Sequence, residues 1–285
     1  MGRRPAAVSL GSLRPPARAA RPGRRSPCAK LRSVSDAPTP ARSGLLHAVG
    51  GIGPEALTGA DVAEATGGRL IRDSHRLIRG AAVDSRLVRP GELFVALPGE
   101  RTNGHRFLRE AVVAGAAALL VGTEPEQATL ATLGDVTIVV VGDPLAALQA
   151  LAAAWRAQFR PLVVGVTGSI AKTSTKEAIA TVLAARGQTL RSEGNQNNEI
   201  GLPLTLLRLG RDDINAVLEM GMYTGGEIAE LARLAKPHIG VVTAVLGVHL
   251  SRIGTIEAVE KAKAELVEAL PKDGMAVLKI GRAHV

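Results

Sequence analysis

The chain has 285 residues, 46% of them apolar but only 2% aromatic, enough for two ordinary domains whose cores must be aliphatic. Its net charge of +9 is no argument for a nucleic-acid partner, because residues 1–44 hold nine arginines and Lys30 against the single acid Asp36, and the other residues balance to neutrality. No apolar run reaches the length of a membrane span, no signal-peptide core follows the basic start, and the sole cysteine, Cys28, allows no intrachain disulfide; a reducing, cytoplasmic setting without membrane insertion is expected.

Residues 1–53 are rich in Pro, Arg, Ala and Ser and lack helical or strand periodicity. Such a stretch cannot bury enough surface to offset its ordering entropy, so a disordered basic tail is expected. An Arg-rich targeting peptide, a basic nucleic-acid arm and codons read from a misplaced upstream start all fit. The last is preferred, because Arg, Ala, Pro and Gly dominate when GC-rich DNA is translated arbitrarily.

Residues 54–157 read as a small α/β domain. Strands are expected at 93–97, 117–121 and 136–141, helices at 109–118 and 147–159, and turns at Pro90-Gly91, Pro98-Gly99 and Asn103-Gly104. Asp84-Ser85-Arg86 and Asn103-Gly104-His105 fall in loops beside strands, where ligand contacts gather; a solvated turn with a satisfied histidine fits the same composition.

Residues 158–285 alternate strands (162–167, 216–220, 239–243, 275–278) with helices (172–186, 204–209, 226–235, 255–270). That alternation predicts a parallel sheet with helices on both faces, whose ligands bind beyond the carboxyl ends of the strands. After the first strand, the turn Gly168-Ser-Ile-Ala171 leads to Lys172 and Thr173 at the start of a helix. Such a turn aims backbone N–H groups at phosphate oxygens and the helix start adds its positive dipole end. Lys172 can reach terminal phosphates and the Thr173 hydroxyl can ligate Mg2+, so Gly168, Ser169, Ala171, Lys172, Thr173 and Ser174 form a candidate ATP loop. Only Lys172 and Thr173 satisfy the strict pattern G-x-x-x-x-G-K-[ST], because Val166 and Ala171 stand where glycines belong. A plain strand-turn-helix with a lysine in its first turn remains open.

Other polar residues cluster at the same ends. Glu219 closes an apolar strand where a magnesium ion bridging phosphates needs oxygen ligands; a salt-bridged glutamate is the alternative. His249 follows the next strand, as a ligand or a structural histidine. Lys263 reads by composition as part of a solvated helix face. In the polar loop 193–203, Asn197 and Asn198 can orient a substrate, or Asn198 can cap the helix behind it.

As a set, Asp84-Ser85-Arg86, Asn103-Gly104-His105, Thr167-Gly168-Ser-x-x-Lys172-Thr173, Gly194-Asn-x-Asn-Asn198, Leu218-Glu219-Met-Gly221 and His249-Leu-x-x-x-Gly254 resemble the motifs of the Mur ligase family. The resemblance implies a uridine-nucleotide domain followed by a P-loop ATP-binding domain. It also implies an ATP-dependent amide ligation in which the γ-phosphate passes to the carboxylate of a UDP-N-acetylmuramoyl peptide, forming an acyl phosphate that the amine of D-alanyl-D-alanine attacks. By family position, Lys172 contacts phosphates, Thr173 and Glu219 hold one Mg2+, His249 helps hold a second, and Lys263 is the lysine carbamylated to face that second ion. The first-domain triplets and Asn197-Asn198 fall to the peptide substrate, and a monomer is expected. A family member adding the third peptide residue, a non-catalytic nucleotide-binding fragment and a basic nucleic-acid binder are the alternatives.

Two departures stand out. The family has glycine at 171, and if that residue sits at positive φ, alanine costs roughly 1 kcal/mol. The resemblance also implies chain beyond residues 275–278, ending the ATP domain and adding a C-terminal domain for the amine. Residues 280–285 are expected to be read-through of an adapter sequence, and the chain as it stands is expected not to be a competent ligase.

Overall fold

A computed structural model describes residues 56–99, 102–247 and 255–278. The expected basic tail at 1–53, His249 and residues 280–285 all lie outside the described residues. The described residues form two five-stranded sheets. The first contains β1 (Arg69–Arg72), β2 (Ala81–Ala82), β3 (Leu93–Val95), β4 (Ala118–Val121) and β5 (Thr137–Val140), in the order β1-β5-β4-β3-β2. All neighbours are parallel except β1, which runs antiparallel to β5 at the edge. β4 is buried at every position, as an unbroken apolar run covered on both faces must be.

Helix α1 (Gly59–Thr66) precedes this sheet; Thr58 and Asp61 form a reciprocal capping box at its start, and Gly67 stops it in the left-handed region. α2 (Leu108–Val113) and α3 (Gln127–Thr132) join successive strands. The helix expected at 109–118 therefore ends five residues early: Gly115 turns the chain at φ +108 against Pro90, and Ala116–Ala118 are needed in the buried strand layer.

α4 (Pro144–Arg156) links the two sheets, with Asp143 capping its first N–H groups. Its buried face (Ala147, Leu148, Leu151, Ala152, Trp155) belongs to a core that also contains Leu120 of the first sheet and Leu218 of the second. Trp155 packs edge-on to Phe159 at 5.2 Å and donates its indole N–H to the Leu209 carbonyl at 3.0 Å.

The second sheet contains β6 (Leu162–Thr167), β7 (Thr189–Arg191), β8 (Asn215–Glu219), β9 (Ile239–Val242) and β10 (Met275–Leu278), all parallel, in the order β10-β9-β6-β8-β7. Helices α5 (Lys172–Ala184), α6 (Gly201–Leu206), α7 (Glu227–Ala235) and α8 (Ile256–Glu268) connect these strands. α5 packs on the face of Val164, Val166 and Val217; α8 packs on the other, where a Cβ on Gly165 would stand 2.9 Å from Leu266, so glycine there admits the helix. The chain leaves β6 toward β8 and β7 on one side and β9 and β10 on the other. The carboxyl end of β6 is consequently the switch point at which open α/β sheets form their ligand crevice.

The sequence reading did not contain α1, β1, β2, α3 or β7. These are short elements whose existence depends on their neighbours. Outer strand β10 pairs with β9 alone among the described strands and keeps Met275 57% and Leu278 48% exposed. Because α4 holds both sheets to one core, Trp155→Ala is expected to lower stability by about 3–5 kcal/mol. Denaturation followed by circular dichroism checks this, and a single transition is expected to persist.

Candidate active site

The loop from β6 to α5 is shaped by backbone conformation. Gly168 has φ +149, and a Cβ there would lie 1.9 Å from the Thr243 hydroxyl, so no other residue fits. Ser169 ties the loop to the end of β9: its N–H donates to the Ala244 carbonyl, and its hydroxyl lies between the Leu246 N–H (3.0 Å) and the Leu246 carbonyl (3.1 Å). Thr243 donates to the Ile170 carbonyl at 2.6 Å. Ala171 then adopts φ 60, ψ 15, the left-handed region, immediately before α5. The first N–H groups of α5 have no earlier turn to donate to and face the loop mouth. Lys172 curls over it, its ammonium donating to the Gly168 carbonyl at 3.0 Å. Ser174, the next position on α5, is exposed.

Glu219 closes β8 beside this loop and is only 2% exposed. One carboxylate oxygen accepts the Thr173 hydroxyl at 2.9 Å, and the other accepts the Asn197 side-chain amide at 2.9 Å. The Glu219 N–H donates to the Ser192 hydroxyl at 3.1 Å. The structure thus brings Thr173, Glu219 and Asn197 together from positions far apart in the sequence. Asn198 instead accepts the Gly201 N–H at 2.9 Å, which starts α6 three residues before the expected 204. Asn198 is near, but not at, the helix cap, which falls at Ile200.

Lys263 lies on α8 and is 4% exposed, which overturns the solvated-face alternative. Burial, and then the nearby Lys172 cation, push its amine from 10.5 down to about 8. Thr167 alternates with Gly165 along β6, so it faces the α8 side as well. Its hydroxyl is fully buried with no hydrogen-bond partner. Among the described residues, no three histidine, cysteine or acidic side chains gather into a metal cluster. The Thr173 hydroxyl and the Glu219 carboxylate supply the one or two protein oxygens that Mg2+ takes when phosphate and water complete its shell. The orphaned Thr167 hydroxyl and the open N–H groups of α5 fit a phosphate chain at the same place.

The first-sheet residues form a separate group. Asp84 caps a short 3-10 turn and pairs with Arg86 at 2.6 Å; that guanidinium holds the Asp84 carboxyl below its usual range. Ser85 is buried between them. Asn103 caps the turn containing Gly104 and His105, and the His105 ring bridges Asn103 and Thr123. Gly104 is required by contact, since a Cβ would stand 2.7 Å from the Ala96 backbone. Both triplets follow adjacent parallel strands, β2 and β3, at one sheet edge. Beside α4, a cleft of about 300 Å³ is lined by Gln149, Asn198, Glu199, Gly221 and residues of α7.

Sequence reasoning missed Lys176 and Ser192. Lys176 is fully buried and donates to the Ser192 carbonyl at 2.7 Å. A signal was available: Lys176 occupies the apolar row of α5 that continues through Ile179, Ala180 and Leu183.

Profiles of two protein-family domains match the chain: "Mur ligase family, catalytic domain" over residues 77–156 and "Mur ligase middle domain" over residues 166–284. The UDP-N-acetylmuramoyl-tripeptide--D-alanyl-D-alanine ligase of Synechocystis is 42% identical over 202 residues, covering 70% of this chain and 43% of the relative. The Bacillus subtilis ligase of the same name is 39% identical over 223 residues, covering 76% and 47%. Among solved structures, MurF from Acinetobacter baumannii superposes with a TM-score of 0.70 at 30% identity, over 79% of this chain and 49% of that one. MurF ligase from Thermotoga maritima in complex with ADP gives 0.62 at 34% identity, over 70% and 45%. The chain spans less than half the length of these relatives.

Two expected outcomes follow from the loop and the buried amine. Ala171→Gly relieves the left-handed strain, worth roughly 1 kcal/mol, and should raise Tm by about 2–4 °C while strengthening ATP binding; thermal scans and calorimetry measure both. For Lys263, the unfolded chain holds the proton more tightly than the folded one, so stability rises with pH between about 8 and 10.5. Chemical denaturation should show this rise, of up to roughly 3 kcal/mol, in the wild type and its loss in Lys263→Met.

Proposed function

The chain belongs to the Mur ligase family, and from that premise we propose that it carries the nucleotide half of an ATP-dependent ligase that joins D-alanyl-D-alanine to a UDP-N-acetylmuramoyl tripeptide. The observation behind this reading is the Thr173–Glu219 hydrogen bond, set beside a strand-to-helix turn whose N–H groups are open. A hydroxyl that donates to a carboxylate keeps its lone pairs free on the opposite side, which is how a threonine can ligate Mg2+ without leaving its partner.

In this reading, the loop 168–174 holds the phosphates of ATP. Lys172 would exchange the Gly168 carbonyl for phosphate oxygens, and Thr173 with Glu219 would hold a magnesium ion, a Lewis acid that would offset negative charge on the phosphates. Transfer of that group to the peptide carboxylate releases ADP and leaves an acyl phosphate. The dipeptide amine then attacks the acyl carbon, and inorganic phosphate departs with the former carboxylate oxygen. Asp84, Ser85, Arg86, Asn103, Gly104 and His105 are assigned to the uridine-nucleotide substrate, with Asn197 and Asn198 between the two halves. Lys263 is assigned, with His249, to a second ion after carbamylation. Its amine at about 8 supports that assignment, because only the neutral amine can attack CO2. Residues 54–157 are accordingly assigned as the UDP-muramoyl-peptide-binding domain and residues 158–285 as the ATP-binding domain.

Calorimetric titration of the chain with Mg·ADP is the test. Binding by the wild type, weakened about 10- to 100-fold in Lys172→Ala, is expected from the loss of a charged phosphate contact; equal affinity in both proteins refutes the loop assignment.

A further inference from the structure

Lys176 has no part in the function proposed above, yet it is the one fully buried cation among the described residues. It stands one helical turn after Thr173 on α5, so both side chains project toward the ends of β7 and β8. Its ammonium donates to the Ser192 carbonyl at 2.7 Å, contacts the half-exposed Glu177 carboxylate at 3.0 Å, and lies 4.0 Å from the Glu219 oxygen that accepts from Thr173. Ser192 in turn receives the Glu219 N–H on its hydroxyl. Ser192 is thus held through its carbonyl by Lys176 and through its hydroxyl by the backbone of Glu219.

Glu219 otherwise receives only two neutral donors, from Thr173 and Asn197, and a buried carboxylate with no cation nearby is costly. We propose that Lys176 is the internal counter-ion of Glu219, a positioning residue that compensates and aims this carboxylate before a metal–nucleotide complex arrives. Glu177 does not remove the need for this role, because it is exposed and also paired with Arg191 at 3.3 Å. The 4.0 Å separation leaves the Glu219 oxygens reachable by a second cation from the loop side, whereas a direct ammonium contact would compete for them.

The role rests on Glu219 being the metal-facing carboxylate, but its test does not. Double-mutant cycles on the ligand-free chain pair Lys176→Met with Glu219→Gln and, separately, with Glu177→Gln. Lys176→Met should lower Tm by roughly 6–12 °C, and most of that loss should disappear when Glu219→Gln is also present. Simple additivity with Glu219→Gln, or coupling to Glu177 alone, overturns the proposal. If Lys176→Met yields no folded protein, recovery of folding in the Lys176→Met/Glu219→Gln variant supports it, and failure of that variant overturns it. Addition of Mg·ADP should raise the Tm of Lys176→Met more than that of the wild type, since a bound cation replaces the missing charge; an equal rise points to mere packing and overturns the proposal. A wild type that shows no shift with Mg·ADP sinks the proposed function and leaves the ligand-free cycles to decide on Lys176.

Discussion

A buried carboxylate at the end of a central strand is the constraint around which the second half of this protein is arranged. Glu219 is almost fully removed from water, where an unpaired ionised group is several kcal/mol out of place. The surroundings answer that cost from every direction. Thr173 comes from the first turn of α5, Asn197 from the loop after β7, Ser192 from the β7 end itself, and Lys176 from one turn further along α5. None of these could be in place unless α5 lay along β7 and β8, which the packing of Val164, Val166, Val217 and Ala180 fixes. The polar network is therefore a consequence of an aliphatic interface, and the interface would be pointless to function without the network.

Topology then decides what the carboxylate faces. Because β6 is flanked by β8 and β9, the turn after it opens into the space where the chain's two directions diverge. Ties from Ser169 to Ala244 and Leu246, and from Thr243 to Ile170, fasten that turn to the β9 end, so its conformation is over-determined. Over-determination explains how Ala171 is held in the left-handed region despite its side chain. The first sheet is held to the second through α4, whose apolar face belongs to one core with both. Gln149 on α4 donates to the Glu199 carbonyl at 3.1 Å, so the loop that leads from β7 to α6 is also fastened to α4.

The strand-turn-helix of β6 and α5 was legible because its chemistry is local: small residues, a lysine and a threonine lie consecutively. Glu219 was legible for a similar reason, as an acid that ends an apolar run. Its partners were not. Ser192 and Asn197 acquire meaning only once β7 pairs with β8, and β7 is three residues long, too short for any periodicity to announce. The edge strand β1 and the short helices α1 and α3 escaped for the same reason. Lys263 shows the limit from the other direction: its neighbours Glu260, Lys261 and Glu265 give it the composition of a solvent face, while Val259, Ala262 and Leu266 turn that same face into the sheet. A lysine among alternating charges is buried or exposed according to a helix phase that composition does not carry.

Charge is unevenly distributed around the loop between β6 and α5. Burial, and after it the Lys172 cation, disfavour the charged form of Lys263, while Lys176 sits behind Glu219. The ligand-free rim is accordingly over-supplied with positive charge on its open side and balanced only at its back. An anion arriving beside Lys172 offsets that charge, and loss of the Lys263 proton, which its burial already favours, has the same effect from within.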